Sequence, residues 1–183
     1  EMELTAQLPR WLTSGVVPDE AIEDGLKTSE PLRYGMSRWT DLFSPRQLLV
    51  QGIFSEEHQR LAAEIKDTTT DSDRAVAIIG ILALMQGKLL NFNSILGSWH
   101  AGRQLIRAKF DSHNFAFKWS YAEFDGMSLL AWALGDRQLG RAYEGIAALL
   151  EPGTEPWVIA GQRIAGETSD LRHRVPASVH VTN

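Results

Sequence analysis

The chain contains no cysteine among its 183 residues. That absence excludes disulfide bonds, cysteine-ligated structural zinc and thiol nucleophiles from this sequence. The five histidines show no spacing typical of metal ligands, so each is interpreted as a surface or helix-end residue. The sequence therefore predicts no metal site, and the lack of cysteine is compatible with a cytoplasmic protein.

Long apolar runs are also lacking. The longest extends from Ala75 to Met85, which is shorter than the roughly 20 residues that a membrane-spanning helix needs. No signal peptide is visible at the acidic N-terminus. We therefore expect a soluble, cytoplasmic protein with no membrane partner. The formal net charge of −5 lacks the basic excess of most free-standing nucleic-acid binders, but it is compatible with a local basic patch.

The motifs of several enzyme classes are missing as well. There is no Gly-x-Gly loop for a nucleotide or methyl-donor cofactor, no phosphate-binding loop, no Pro-Pro pair and no Ser-His-Asp set. The sequence therefore nominates no catalytic residue and leaves the cofactor-binding residues unknown. Glu1 is not a natural start, and the strand-like segment 177–183 stops in mid-pattern, so we expect both ends to lie inside a longer protein.

What the sequence does contain is mainly helical periodicity. Proline and glycine interrupt residues 1–36, which are predicted to be a connector with little regular structure and at most a short helix near 18–24. Residues 37–152 are predicted to form a helical domain. Residues 153–183 carry two short apolar runs and are predicted to start an α/β portion. The predicted fold class is mainly α, a helical bundle-like segment with a few short strands.

Within the helical domain, a first helix is predicted to begin at Ser44-Pro45, because serine is a good N-cap and proline fits the first helical position. A second helix is predicted from about Asp73, with Asp71 or Ser72 as its cap. Its body is apolar nearly all round, which is typical of a central helix that is buried on several sides. A third helix is predicted from Gly102 to Phe110, and two further helices over 127–134 and 137–150.

Three candidate binding residues lie on or beside the first two helices. Trp39 either packs against the first helix as a hydrophobic staple or lines a pocket. Arg46 lies in the first turn of that helix, where it either holds an anion or is simply a surface residue. Asn93 either satisfies the backbone of a packed loop or borders a substrate cleft, since an amide can read the edge of adenine. Gln86 and Asn91 are interpreted first as structural amides.

A basic block and an aromatic segment follow. Arg103 and Arg107 share a face of the predicted third helix, beside Trp99. Residues 99–119 contain two Arg and two Lys against one Asp, a local charge of +3 that suits either phosphate contact or a solvated helix face. The aromatic residues of 115–121 alternate as in an extended strand. Trp119 there either packs in the core or stacks on a flipped base, and Glu123 is either a pocket carboxylate or a surface group.

Three blocks, in this order, resemble one enzyme family. They are Tyr34-Gly…Arg38-Trp-Thr-Asp-Leu-Phe-Ser-Pro-Arg-Gln-Leu-Leu49, Gly87-Lys-Leu-Leu-Asn-Phe-Asn-Ser-Ile-Leu-Gly-Ser-Trp99 and Phe115-Ala-Phe-Lys-Trp-Ser-Tyr-Ala-Glu-Phe124. The family is that of the large bacterial and archaeal adenine-specific DNA methylases with an N-terminal domain of unknown function and a zinc-ribbon-like insert. The resemblance covers roughly residues 32–150 and continues more weakly to the end.

The resemblance implies S-adenosylmethionine-dependent transfer of a methyl group to N6 of adenine in DNA, with the base taken out of the duplex. It places a cofactor-binding glycine motif upstream of this chain. It places the catalytic Asn/Asp-Pro-Pro-Tyr motif downstream, after a strand like 178–182 that would belong to a truncated Rossmann-like sheet. The segment alone is expected to be inactive, and its partners would be DNA and the rest of the enzyme. The expected pocket or DNA contacts are Trp39, Arg46, Asn93, Trp99, Arg103, Arg107, Trp119 and Glu123.

Two alternatives stand beside this interpretation. The first is a helical scaffold that supports a methyltransferase core without touching DNA or substrate. The second is an independent single-strand-binding module that uses the aromatic segment around Trp119. Substitution of Arg103 and Arg107 separates a DNA-contacting segment from the scaffold. Quenching of tryptophan fluorescence by single-stranded DNA tests the single-strand-binding module.

Overall fold

The computed structural model describes residues 2–110, 115, 119–123, 125 and 130–149. The described part is mainly helical, with one two-stranded antiparallel sheet. In chain order its elements are α1 (Met2–Ser14), α2 (Ser29–Arg33), a 3-10 helix (Trp39–Leu42), α3 (Pro45–Thr68), α4 (Ser72–Phe92), β1 (Trp99–His100), β2 (Leu105–Ile106), a π-helix (Leu130–Gly140) and α5 (Arg141–Leu149).

The chain divides into two compact units, Glu1–Glu144 and Gly145–Asn183. Of the second unit, the structure describes only residues 145–149, which end α5. The predicted α/β portion at 153–183 and its Rossmann-like strand therefore lie outside the described residues. The two helices predicted over 127–134 and 137–150 correspond to the π-helix and α5 where they are described.

Helices α3 and α4 form the centre of the first unit and pack against each other. The predicted start of α3 is confirmed, because Ser44 caps it and Pro45 is its first residue. The predicted start of α4 is confirmed too. The Asp71 side chain accepts hydrogen bonds from the backbone amides of Asp73 (3.0 Å) and Arg74 (3.1 Å), which satisfies two of the helix's unpaired donors.

The N-terminal segment differs from its prediction as a connector with little regular structure. Residues Met2–Ser14 form helix α1, whose Trp11 is 1% exposed within a hydrophobic cluster. The apolar residues Leu4, Leu8 and Trp11 recur at helical spacing, and that burial stabilises the helix although Pro9 lies inside it. The short helix predicted near 18–24 is wrong, because Ala21 instead pairs with Arg38 in an antiparallel bridge.

The third predicted helix, Gly102 to Phe110, is also wrong. Residues 99–106 form a short hairpin in which Trp99 pairs with Ile106 and His100 with Leu105. Gly102 lies in the turn, and Gln104 adopts a left-handed backbone conformation with φ of 50°, which no helix accommodates. Arg103 and Arg107 therefore do not share a helix face. Among residues 115 and 119–121, the described part of the predicted aromatic strand, no strand pairing occurs.

Helix α4 departs from the prediction of a helix that is buried on several sides. Its buried residues are Ala75, Leu89 and Asn91, while Val76 and Leu84 are 65% and 61% exposed. The reason is that α3 and the π-helix cover one side of α4. By length and composition alone, α4 is long and apolar enough to cross a membrane. Length and hydropathy alone do not separate such a helix from one that packs against another protein surface.

Candidate functional site

The N-terminus of α3 holds a carboxylate that comes from a distant part of the chain. Ser44 caps the helix by accepting from the backbone amide of Gln47 (3.3 Å), and the Gln47 side chain accepts in turn from the amide of Ser44 (2.9 Å). The Ser44 hydroxyl also donates to Glu123, and Arg46 donates to the other oxygen of Glu123 at 2.6 Å. A helix N-terminus favours such a negative charge.

The pair that Arg46 and Glu123 form is asymmetric in exposure. The Arg46 side chain is 82% exposed, whereas that of Glu123 is 23% exposed. One carboxylate oxygen of Glu123 is held by Ser44, and the arginine covers the other from the solvent side. Glu123 therefore fixes the third family-like block to α3, and Arg46 keeps most of its surface available to an outside anion.

Directly behind this end of α3 lies a cluster of buried amides, Gln47, Gln51 and Asn93. Asn93 caps the C-terminus of α4, and Gln51 donates to its backbone oxygen at 3.5 Å. Gln47 Nε2, Gln51 Oε1 and Asn93 Oδ1 are buried without a hydrogen-bond partner among the described residues. Leaving a buried polar atom without a hydrogen bond costs about 1–3 kcal/mol.

The other two amides of α4 have ordinary structural partners. Asn91 Oδ1 accepts from the backbone amide of Phe110 at 2.7 Å, and the Gln86 side chain donates to Ser55 on α3. The structural interpretation of Asn91 is therefore correct, since it satisfies the backbone of a packed loop. Gln86 likewise joins two packed helices. Of the three amides singled out in the sequence, Asn93 alone belongs to the cluster at the N-terminus of α3.

Two aromatic pairs involve Trp39 and Trp119. Trp39, which is half-buried, packs against Phe115 with ring centroids 5.6 Å apart. Tyr34 and Trp119 meet edge to face with centroids 5.7 Å apart, and Trp119 is 80% exposed. Trp39 thus belongs to the hydrophobic cluster formed by Ile22, Leu42 and Leu96. Trp119 has most of its ring surface in solvent, where it can stack on another planar group.

The β1–β2 hairpin carries the remaining predicted contacts. Trp99 is 55% exposed on β1, Arg103 lies in the turn and Arg107 directly follows β2. Both arginines are exposed, and neither forms a salt bridge with the described residues. A hairpin with an exposed indole and two guanidinium groups that have no carboxylate partner among the described residues suits contact with a nucleic acid.

Backbone hydrogen bonds tie the three family-like blocks together. The amide of Ile95 donates to the carbonyl of Leu42 at 2.9 Å, which joins the second block to the first. The amide of Ala122 donates to the carbonyl of Gly97 at 3.3 Å, which joins the third block to the second. Together with the Glu123 contacts, these bonds bring segments from three parts of the sequence to one end of α3.

The structure therefore groups six of the eight predicted residues in two places. Arg46, Asn93 and Glu123 lie at the N-terminal end of α3, and the hairpin segment carries Trp99, Arg103 and Arg107. Trp39 and Trp119 shortly precede Ser44 and Glu123 in sequence and pack against Phe115 and Tyr34. Sequence reasoning missed Gln47 and Gln51 as site residues. The signal was present, because a serine followed three residues later by glutamine is a capping box, and Gln51 lies one turn further on.

Comparison with protein-family models, with curated proteins and with solved structures gave no match for this chain. Among the described residues, no group of three or more His, Cys, Asp or Glu side chains is placed to hold a metal ion.

Proposed function

We propose that this chain is a segment of an S-adenosylmethionine-dependent DNA adenine N6-methyltransferase that lines the DNA cleft between the cofactor-binding and catalytic motifs. The observation that carries the proposal is the convergence of the three family-like blocks on the N-terminus of α3. Ser44 and Glu123 are 79 positions apart in sequence and are hydrogen bonded. Blocks that resemble an enzyme family would be expected to meet if that family's site uses them together.

The DNA contact is assigned to the exposed residues of the two groups. Arg103 and Arg107 are available for phosphate oxygens, and Arg46 is largely solvent-exposed although it pairs with Glu123. Trp99 and Trp119 offer exposed rings on which an unpaired base can stack. A local basic surface of this kind is sufficient for phosphate contact in a chain whose net charge is −5.

Three of the eight residues are better placed to position the site than to touch DNA. Asn93 is 1% exposed, so it cannot reach a base in this conformation. Glu123 is engaged by Ser44 and Arg46, and Trp39 packs against Phe115. We assign these residues to holding the N-terminus of α3 and the segment around Trp119 in place.

No methyl-transfer step is assigned to a residue of this chain. The sequence contains neither a Gly-x-Gly loop nor a Pro-Pro-Tyr motif, so cofactor binding and catalysis belong to other parts of the proposed enzyme. We expect this chain, mixed with S-adenosylmethionine and duplex DNA, to transfer no methyl group. Methyl transfer by the chain alone would contradict the proposal, because the catalytic residues would then have to be among those present here.

The DNA contact is tested with the double variant Arg103→Ala/Arg107→Ala. We expect its affinity for duplex DNA at low salt to fall on the order of tenfold, because two phosphate contacts are removed. The matched control is Lys66→Ala/Arg74→Ala, which removes the same charge from exposed residues near the opposite ends of α3 and α4. We expect little change there. Equal effects of the two double variants would show that only net charge matters and would overturn the assignment of the hairpin.

A scaffold without DNA contact is the second candidate, and specific observations favour it. Glu123 is occupied by a salt bridge, and the amides of the site are buried. If the hairpin variant binds DNA as the wild type does, while Glu123→Ala unfolds the segment around Trp119, the scaffold explains the data better. An independent single-strand-binding module predicts instead that single-stranded DNA quenches tryptophan fluorescence more strongly than duplex DNA does.

A further inference from the structure

One side of α4 is apolar and exposed, and the residues on it lie at helical spacing. At about 100° per residue, its members fall within about 120° of the helix circumference. They are Val76, Ala77, Gly80, Ala83 and Leu84, and all five are exposed. A Cβ added at Gly80 would meet nothing within 4 Å, so the middle of this face is open. We call these five residues the α4 face.

A charged residue stands at each end of the α4 face, and the two charges are opposite. Asp73 lies one turn before Val76 and Ala77, and Lys88 lies one turn after Leu84. Both side chains are exposed, and neither forms a salt bridge with the described residues. The face is therefore negative at its N-terminal end, positive at its C-terminal end and apolar between.

We propose that the α4 face is the interface of a two-fold symmetric dimer in which α4 of one copy packs antiparallel to α4 of a second copy. A two-fold axis midway between positions 80 and 81 places Leu84 of each copy against Ala77 of the other. It also places Lys88 of each copy beside Asp73 of the other, because positions equally far from the axis meet. The face is thus complementary to itself in shape and in charge, which is what an isologous interface requires.

A lipid bilayer is a poorer occupant of the α4 face. Helix α3 packs along the other side of α4 and exposes Glu57, Arg60 and Glu64. Inserting α4 into a bilayer would carry those charges with it, at a cost of several kcal/mol for each charge that reaches the hydrocarbon. Asp73 would also enter the lipid with the face, whereas a second copy offers it Lys88.

The expected dimer is a weak one. A 21-residue helix is about 30 Å long, and one helix pair buries less than the roughly 800 Å² per partner of a standard interface. We therefore expect a dissociation constant on the order of micromolar. The glycine and the two alanines of the face allow the helices to approach closely, which improves packing along the contact.

Sedimentation velocity of the whole chain over a range of concentrations tests the proposal. We expect a reversible dimer for the wild type and a monomer for Leu84→Glu, which places a carboxylate in the apolar contact. Leu26→Glu is the matched control, since Leu26 is exposed and lies far from α4 in sequence; it should remain dimeric. A wild type that stays monomeric at all concentrations, or a dimeric Leu84→Glu, would overturn the proposal.

Charge reversal separates a symmetric pair from other occupants. Lys88→Asp and Asp73→Lys should each raise the dissociation constant about tenfold. Each substitution creates two pairs of like charges between positions 73 and 88 of the two copies. The combined variant should return to within about threefold of the wild type. Arg74→Asp, on the same helix but outside the face, should have a smaller effect. No rescue in the combined variant contradicts the antiparallel register.

Two other occupants give results of their own. If residues 150–183 of the same chain cover the α4 face, the wild type is a monomer and Leu84→Glu lowers its unfolding temperature. If lipid covers it, the wild-type monomer sediments with neutral phosphatidylcholine vesicles and Leu84→Glu does not. Either result replaces the second copy as the occupant. None of these outcomes depends on the DNA contact proposed for the hairpin.

Discussion

Gln51 and Gly52 are neighbours in α3, but the contacts that they make with the rest of the protein differ in kind. On one side, Gly52 lets the ring of Trp11 lie directly on the α3 backbone, and the indole nitrogen donates to Glu56 at 3.3 Å. On the other side, Gln51 meets Asn93 among amides that keep unpaired polar atoms. The first contact is apolar with its polar atom satisfied. The second is polar with its hydrogen bonds incomplete.

The side of α3 that holds Trp11 is the side that stabilises the fold. Burying a large ring against a helix contributes several kcal/mol, whereas a half-satisfied amide cluster contributes little or costs stability. The amide cluster lies directly behind the N-terminus of α3, where the three family-like blocks meet.

The largest expected effect is that of Trp11→Ala. The ring is almost wholly buried in a cluster with Leu4, Val16 and Leu48, so its removal should lower the free energy of unfolding by about 3–5 kcal/mol. Denaturant unfolding followed by circular dichroism measures this loss. Leu26→Ala, at an exposed side chain, should change stability by less than about 0.5 kcal/mol. A loss below about 1 kcal/mol for Trp11→Ala would contradict the packing of α1 on α3.

The next effect is that of Gly52→Ala. A Cβ at this position would lie 2.3 Å from Cζ3 of Trp11, so α1 must shift, at about 1–3 kcal/mol. That cost opposes the gain of about 1 kcal/mol that alanine normally brings to a helix interior. Gly145→Ala on α5 meets nothing within 4 Å and should not destabilise the protein. If Gly52→Ala is more stable than the wild type by about 1 kcal/mol, as an unobstructed alanine would be, the close approach of Trp11 is incorrect.

A smaller effect is expected on the polar side. Gln51→Met keeps the side-chain volume, loses one long hydrogen bond of 3.5 Å and removes the unpaired Oε1 atom. We expect a change in stability between no loss and a gain of about 1 kcal/mol, because an unmet buried acceptor disappears. Urea unfolding of the variant measures it. A loss of more than about 2 kcal/mol would mean that Gln51 stabilises the fold, and the contrast between the two sides of α3 would fail.

The smallest effect concerns pH. Hydrogen bonds from Arg10 and Trp11 lower the pKa of Glu56 below its usual 4.5. A lowered folded-state pKa stabilises the fold above the unfolded pKa, and this contribution disappears as the pH falls through the folded value. Glu56→Gln should therefore be slightly less stable than the wild type at pH 7 and equally stable at strongly acid pH. Thermal melts at both pH values measure the difference, with Glu20→Gln as the control for losing one carboxylate.

The sequence was informative where local chemistry decides the structure. The starts of α3 and α4 follow from Ser44-Pro45 and from Asp71, because caps and helix-compatible residues act within a few positions. The failures share a different cause. Helix α1 is stabilised because the Trp11 side chain packs against the backbone of Gly52 in α3, 41 positions later. No local sequence pattern predicts that contact. The hairpin replaces a predicted helix for a similar reason, since Arg107 and Ala122 are tied to the segment that follows α4.

The residues of the candidate site were predictable from the sequence only in part, because the contacts between them join distant parts of the chain. Residue chemistry and the family resemblance singled out Arg46 and Glu123, but neither predicted the salt bridge that joins these positions, 77 apart in sequence. Because α4 is apolar nearly all round, the sequence predicted that it would be buried on several sides. The rest of the described chain covers only one side of the helix. Periodicity shows that a face is apolar and does not show what covers it.

The contact that we propose between the hairpin and the DNA backbone is tested most directly by the salt dependence of binding. The affinity for duplex DNA is measured at several salt concentrations for the wild type and for Arg103→Ala/Arg107→Ala. Each lost phosphate contact flattens the slope of log affinity against log salt by about 0.9. We expect a slope that is flatter by about 1.8 in the double variant. An unchanged slope would contradict the claim.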